Sequence, residues 1–245
     1  MSWMFPRSSG IHAPGTREWI LGALYLPVFL FFLNIAILAY FPALGFPLTE
    51  PRNYFFANLL YMAVNFAVML LIFRRTLWQS LREFEGKMLL SVLIGSGMCY
   101  GANLVLTTAY TVLDIMPENY NQEAVNSLLG GYPLAMTLCT VVLAPLAEEC
   151  LFRGVLFAPL ARRCLPAAYA LSMFLFAGMH VFQFLGSMTA ANTILCLSLY
   201  LPASFSLCWV YQKTGNIWAG IFLHMFINFQ SVLASLLRSL MQAFL

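Results

Sequence analysis

Charge is what this chain has least of. Nine Asp or Glu and twelve Lys or Arg make up 9% of the 245 residues, against 62% hydrophobic residues. A soluble domain is about a quarter charged. The soluble classes are therefore excluded, and with a mean hydropathy of +0.83 a polytopic membrane protein is expected. The net charge of +3 gives no ground for a nucleic-acid partner. CxxC pairs are absent. The six cysteines, Cys99, Cys139, Cys150, Cys164, Cys196 and Cys208, would allow three disulfides by arithmetic alone. Nearly all of them lie in apolar segments, however, where cysteine acts as a small packing residue. Internal repeats are also missing, which gives an inverted-repeat transporter little support. Histidine is scarcer still: His12, His180 and His224 are the whole supply.

Long apolar runs are what the chain has in abundance. A spanning helix needs about 20 mostly apolar residues. Seven segments meet that length, at 19–45, 54–73, 88–113, 133–160, 166–186, 189–211 and 216–241. The expected fold is an all-α transmembrane bundle of about seven spans (19–245) behind a polar tail (1–18). The run from Trp19 to Phe46 is longer than the h-region of a signal peptide, so it reads as a retained first helix. The breaks carry turn chemistry or charge: "GFPLTEPRN", the amphipathic "RRTLWQSLREFEGK", the polar "PENYNQEAVNSLLGGYP", "RRCLP" and "KTGN". A short or re-entrant helix within 117–133 would alter the details. With the N-terminus cytoplasmic, Arg74, Arg75, Arg82, Lys87, Arg162, Arg163 and Lys213 all fall inside. The outward connections then hold Arg52 alone, as the positive-inside rule requires. The expected location is a cell membrane, crossed many times.

Few polar residues remain within the spans, and charges there are expensive and usually functional or paired. The fourth span holds Glu148, Glu149 and Arg153, the fifth His180 and Gln183, and the last His224 and Asn228. Glu149 and Arg153 stand at i and i+4 and can neutralise each other on one face. Glu148 is turned about 100° away. His224 and Asn228 are also i and i+4 and share a face. Counting about 1.5 Å per residue from the basic turns places Glu148 and His180 each about 21 Å deep, His224 about 16 Å and Asn228 roughly 6 Å beyond it. All four unpaired groups thus fall in one slab. A glutamate beside two imidazoles can hold a water and take its proton. His224 and the Asn228 amide supply donors suited to an oxyanion. Those parts fit hydrolysis of an amide bond. Taken singly, each has a bland reading too: His180 or Asn228 as an interhelical hydrogen bonder, Glu149–Arg153 as structure, Gln183 and Asn192 as helix contacts. Ser172 lies two turns from His180, and Cys150 has no histidine near it on its own helix, so neither is favoured as a nucleophile.

The three motifs EExxxR (Glu148–Arg153), FxxxH (Phe176–His180) and HxxxN (His224–Asn228) occur in that order on separate spans. Together they resemble those of the CAAX-protease and bacteriocin-processing (Abi) family of intramembrane endopeptidases. The resemblance covers about 133–230, which would be the catalytic core. It implies that Glu148, helped by His180, activates water. It also implies that His224 and Asn228 stabilise the oxyanion and that Glu149 and Arg153 are accessory. The expected partners are a peptide or membrane-protein substrate and the lipid bilayer. No cofactor is expected; zinc on Glu and two His is the weighed alternative. Family members include prenyl-protein tripeptide proteases and bacterial proteins linked with bacteriocin immunity. The compact length looks more like the bacterial branch. Two further readings stand beside the enzyme: a non-catalytic immunity or partner-binding protein, and a proton-coupled carrier.

Overall fold

Apolar length dictates the architecture, and the computed structural model describes it for residues 13–243. Arg7, His12 and the rest of the tail's first twelve residues lie outside the described residues. Seven helices are long and apolar enough to cross a membrane. In chain order the helices are α1 (Thr16–Ala43), α2 (Pro51–Ile72), α3 (Arg74–Arg82), α4 (Met88–Val112), α5 (Tyr120–Gly131), α6 (Pro133–Ala161), α7 (Leu165–Ser187), α8 (Ala190–Thr214) and α9 (Ile217–Ala243). The seven expected spans are all present, each boundary shifted by at most a few residues. Between the fifth and sixth spans, α7 winds down through a 3₁₀ stretch, Phe182–Ser187.

The two longest connections are not loops throughout. The amphipathic stretch after α2 folds as α3, burying Thr76, Leu77 and Ser80 and exposing Arg74, Arg75, Trp78 and Arg82. Its first amides are orphans in the usual way of helix starts. Those of Arg75 and Thr76 donate to Glu18 Oε1 of α1, both at 3.2 Å. At its far end Asn216 Nδ2 donates to the Ser80 carbonyl (2.6 Å) and Trp218 Nε1 to that of Leu77 (2.7 Å). Gly215, at φ +68°, ends α8 in the left-handed conformation that glycine adopts without strain. Tyr169 near the start of α7 donates to Gln212 near the end of α8 at 2.7 Å. The start of α1, helix α3 and the turns carrying Arg162 and Lys213 therefore meet at one end of the bundle.

At the other end, the polar connection after α4 folds as α5. Asn119 caps it, its Oδ1 accepting from the Gln122 amide at 3.1 Å. Asn192 clamps the preceding Glu118 backbone through two hydrogen bonds of 2.9 and 3.1 Å.

Helix α6 occupies the centre, packed on α1, α2, α7 and α9. Every residue from Pro145 to Val155 is buried, including Glu148, Glu149 and Arg153. A helix buried on all faces leaves polar groups unanswered only at a cost, so they are expected to find partners on neighbouring helices. Leu24, Phe32, Leu71, Leu104, Val112 and Ile194 lie on the outer surface, exposed as lipid-facing side chains are.

Candidate active site

Prolines shape the helix that carries the two glutamates. In α6 the residues Cys139–Leu143 and Cys150–Phe157 run as wider π-helical turns, which recur at functional sites. The Ala144 amide bonds back to the Cys139 carbonyl, five residues earlier. The next residue, Pro145, has no N–H to give. The carbonyl of Thr140 is thus left without the corresponding backbone donor, and Asn228 Nδ2 of α9 takes it at 2.8 Å. The same logic recurs one turn before the end of α6. Pro159 cannot donate to Val155 four residues back, and Trp19 Nε1 of α1 bonds the Val155 carbonyl at 3.0 Å.

Glu149 is committed through one oxygen, its Oε2 having no hydrogen-bond partner. Its Oε1 lies 3.1 Å from Arg153 Nη1 and 3.0 Å from His224 Nδ1, and both Glu149 and Arg153 are 0% exposed. Arg153 Nη2 donates to the carbonyl and hydroxyl of Ser204 on α8, at 3.2 and 3.3 Å. The guanidinium also lies 4.8 Å from the centre of the Phe176 ring, within cation–π range. Space for the Glu149 carboxylate comes from Gly220, one helical turn before His224. A β-carbon there would stand 3.0 Å from Glu149 Oε2. The expected Glu149–Arg153 pair is present, and the structure adds His224 to it. A carboxylate only accepts, so His224 Nδ1 carries the proton and its other nitrogen is turned toward Glu148.

Glu148 is the uncommitted neighbour. It is buried, yet its Oε2 has no hydrogen-bond partner. The closest imidazole nitrogen, His224 Nε2, is 3.7 Å away, too long for a hydrogen bond but close enough for attraction. His180 joins through aromatic contacts. Its Nδ1 donates to the Phe176 carbonyl at 2.8 Å, which leaves Nε2 as the ring's acceptor. The Phe176 ring sits 4.9 Å from His180 and 5.5 Å from His224. Of the two imidazoles, buried His224 is therefore the one beside Glu148, and no ion pair or hydrogen bond joins the half-buried His180 to Glu148 among the described residues.

The donor set fits a metal poorly. Among the described residues no three His, Cys, Asp or Glu side chains gather as a ligand group. His224 Nδ1 and the Asn228 amide already serve Glu149 and Thr140. Ser172 donates to the Phe152 carbonyl at 3.2 Å, and Cys150 is buried, with no hydrogen bond to either histidine among the described residues. Gln183 reaches Asn121 at 3.5 Å. Three participants were not visible in the sequence as site residues: the Thr140 carbonyl, Gly220 and Tyr200. For the first, the signal was Pro145 four residues before Glu149.

Residues 130–230, which hold the whole cluster, match the family described as "Type II CAAX prenyl endopeptidase Rce1-like". The chain is 29% identical over 119 residues to the Bacillus subtilis (strain 168) protein "Putative membrane peptidase YdiL". That match covers 49% of this chain and 44% of the relative, so less than half the relative's length is spanned. No solved structure matches.

Proposed function

Because residues 130–230 belong to the CAAX-protease and bacteriocin-processing family, we propose that the chain is an intramembrane endopeptidase whose base is Glu148. One observation carries this reading: of two adjacent buried glutamates, Glu149 is held through Oε1 by Arg153 and His224 at 3.0–3.1 Å, whereas Glu148 makes no hydrogen bond among the described residues and its nearest basic nitrogen stands at 3.7 Å. Leaving a buried acceptor unanswered costs about 1–3 kcal/mol. Glu149 Oε2 bears that cost too, but within a carboxylate already anchored to Arg153 and His224; Glu148 has no such anchor, and a reacting water would supply one.

In this mechanism Glu148 takes a proton from a water and the hydroxide oxygen attacks the scissile carbonyl carbon. The carbonyl oxygen, now negative, is met by the second N–H of Asn228 and by His224, which keeps Nδ1–H on Glu149 and donates through Nε2–H as an imidazolium; such donors are worth roughly 10²–10³ in rate in other amide hydrolases. The Glu148 proton then passes to the amide nitrogen, the C–N bond breaks, and a carboxylic acid and an amine leave. His180 aids activation of the water through Nε2. Residues 133–230 form the catalytic core. The substrate is a peptide or a membrane-protein segment that enters from the bilayer.

The deciding experiment compares protein N-termini in membranes that carry the wild type or Glu148→Gln. Termini present only with the wild type support proteolysis and identify the substrate. If none appear while the biological effect persists in Glu148→Gln, the chain acts as an immunity or partner-binding protein. The reaction is proposed to need no metal, given the poor ligand set. Exhaustive chelation should therefore leave the cleavage rate unchanged, and loss of activity that zinc restores would overturn this.

We also propose that the basic end faces the cytoplasm of a bacterial plasma membrane, following the positive-inside rule. Of the six cysteines only Cys164, beside Arg162 and Arg163, is exposed. A membrane-impermeant maleimide should label it in inverted vesicles and not in intact cells. Labelling of intact cells would reverse the orientation.

A further inference from the structure

Tyr200 of α8 has no part in the chemistry above, yet it is built into the site. Its ring stacks on His180 with centroids 4.5 Å apart and planes 22° from parallel. Phe176 lies 4.9 Å away with its plane tilted by 46°, so the imidazole contacts two aromatic rings. The Tyr200 hydroxyl donates to Asn119 Oδ1 at 3.0 Å and accepts from Asn121 Nδ2 at 3.2 Å. A phenol that both donates and accepts is fixed in rotation as well as in place. Asn121 in turn accepts from Gln183, three residues beyond His180. The same turn of α5 reaches the far side of the site, where Ser231 Oγ, three residues past Asn228, donates to Gln122 Oε1 at 3.3 Å.

An imidazole has a broad, roughly two-fold preference about its second side-chain torsion. The bond from Nδ1 to the Phe176 carbonyl selects one orientation, and stacking on Tyr200 holds the ring plane. We propose that Tyr200 is a positioning residue for His180, which aims Nε2 into the site and couples that aim to the first turn of α5. The proposal rests on the endopeptidase reading. It also explains why a polar segment outside the spans is tied to the bundle by Asn119, Asn121 and Gln122 rather than left as a loop.

The test uses the full chain in lipid nanodiscs with ¹⁵N-labelled histidine, the His180 signals being assigned with His180→Gln. In Tyr200→Ala the His180 ring signals should shift and broaden while those of His224 stay in place. Cleavage of the substrate found from Glu148-dependent termini should fall about 100-fold, the scale set by small misplacements of a reacting group. Tyr200→Phe keeps the ring face and should restore the His180 signals and most of the rate. Tyr200→Leu, which fills the volume without an aromatic face, should behave as Tyr200→Ala and serves if the alanine variant fails to accumulate. Unmoved His180 signals in Tyr200→Ala and Tyr200→Leu overturn the proposal, as do moved signals with an unchanged rate. If the wild type yields no Glu148-dependent termini, the endopeptidase reading fails by a separate measurement, and the positioning role fails with it.

Discussion

In membranes carrying Glu148→Gln, cleavage should fall about 10²–10⁴-fold, the usual contribution of a general base, while the protein accumulates as the wild type does. Glutamine has the shape of glutamate without its charge. The Glu148 Oε2 that would change has no hydrogen-bond partner to lose, and a neutral amide is easier to bury than a carboxylate. Folding should therefore be unaffected or slightly favoured. The neighbouring position makes the control. Glu149→Gln should impair folding, because it strips the buried Arg153 and His224 of their shared anion. Equal accumulation of both variants would mean that the two glutamates are not divided as the structure has them.

Arg153→Met should destabilise the bundle by about 3–5 kcal/mol, as expected when one member of a buried ion pair is removed and the other is left charged. Arg153 is 0% exposed and bonds both Glu149 and Ser204, so no solvent is at hand to take over. The measurement is the unfolding midpoint in detergent, together with the amount of folded protein recovered. Adding Glu149→Gln to Arg153→Met should recover much of the lost stability, since the orphaned charge is then gone. Cleavage should not return, because His224 would still lack the carboxylate that orients Nδ1. A single Arg153→Met variant with the wild-type midpoint would show that the pair carries little of the fold.

Hydrophobic length made the seven spans legible, since a run of about 20 apolar residues has few alternatives. The i and i+4 spacing made the separate fates of Glu148 and Glu149 legible as well. What stayed hidden depends on contacts between helices. Nothing in HxxxN says that its histidine will turn one nitrogen to Glu149 and the other toward Glu148. Depth arithmetic assumed uniform α-helix, whereas α6 contains two π-helical stretches on either side of the glutamates. The polar run 117–133 was readable as a connection, but its folding as α5 relies on Asn119 and on bonds to α8 and α9. Tyr200 gave no signal at all, because one tyrosine among eleven in an apolar span looks like any other.

The carbonyls that Pro145 and Pro159 leave free bear on assembly. Each proline removes one hydrogen from α6 and so marks a single height along the helix where a donor from elsewhere must arrive. Asn228 on α9 answers one mark and Trp19 on α1 answers the other. If α9 slid by one turn, about 5.4 Å, the Thr140 carbonyl would face hydrocarbon unpaired, at a cost of several kcal/mol. Two missing hydrogens thus lock the vertical register of the first and last spans against the central one, and with it the height at which His224 meets Glu148.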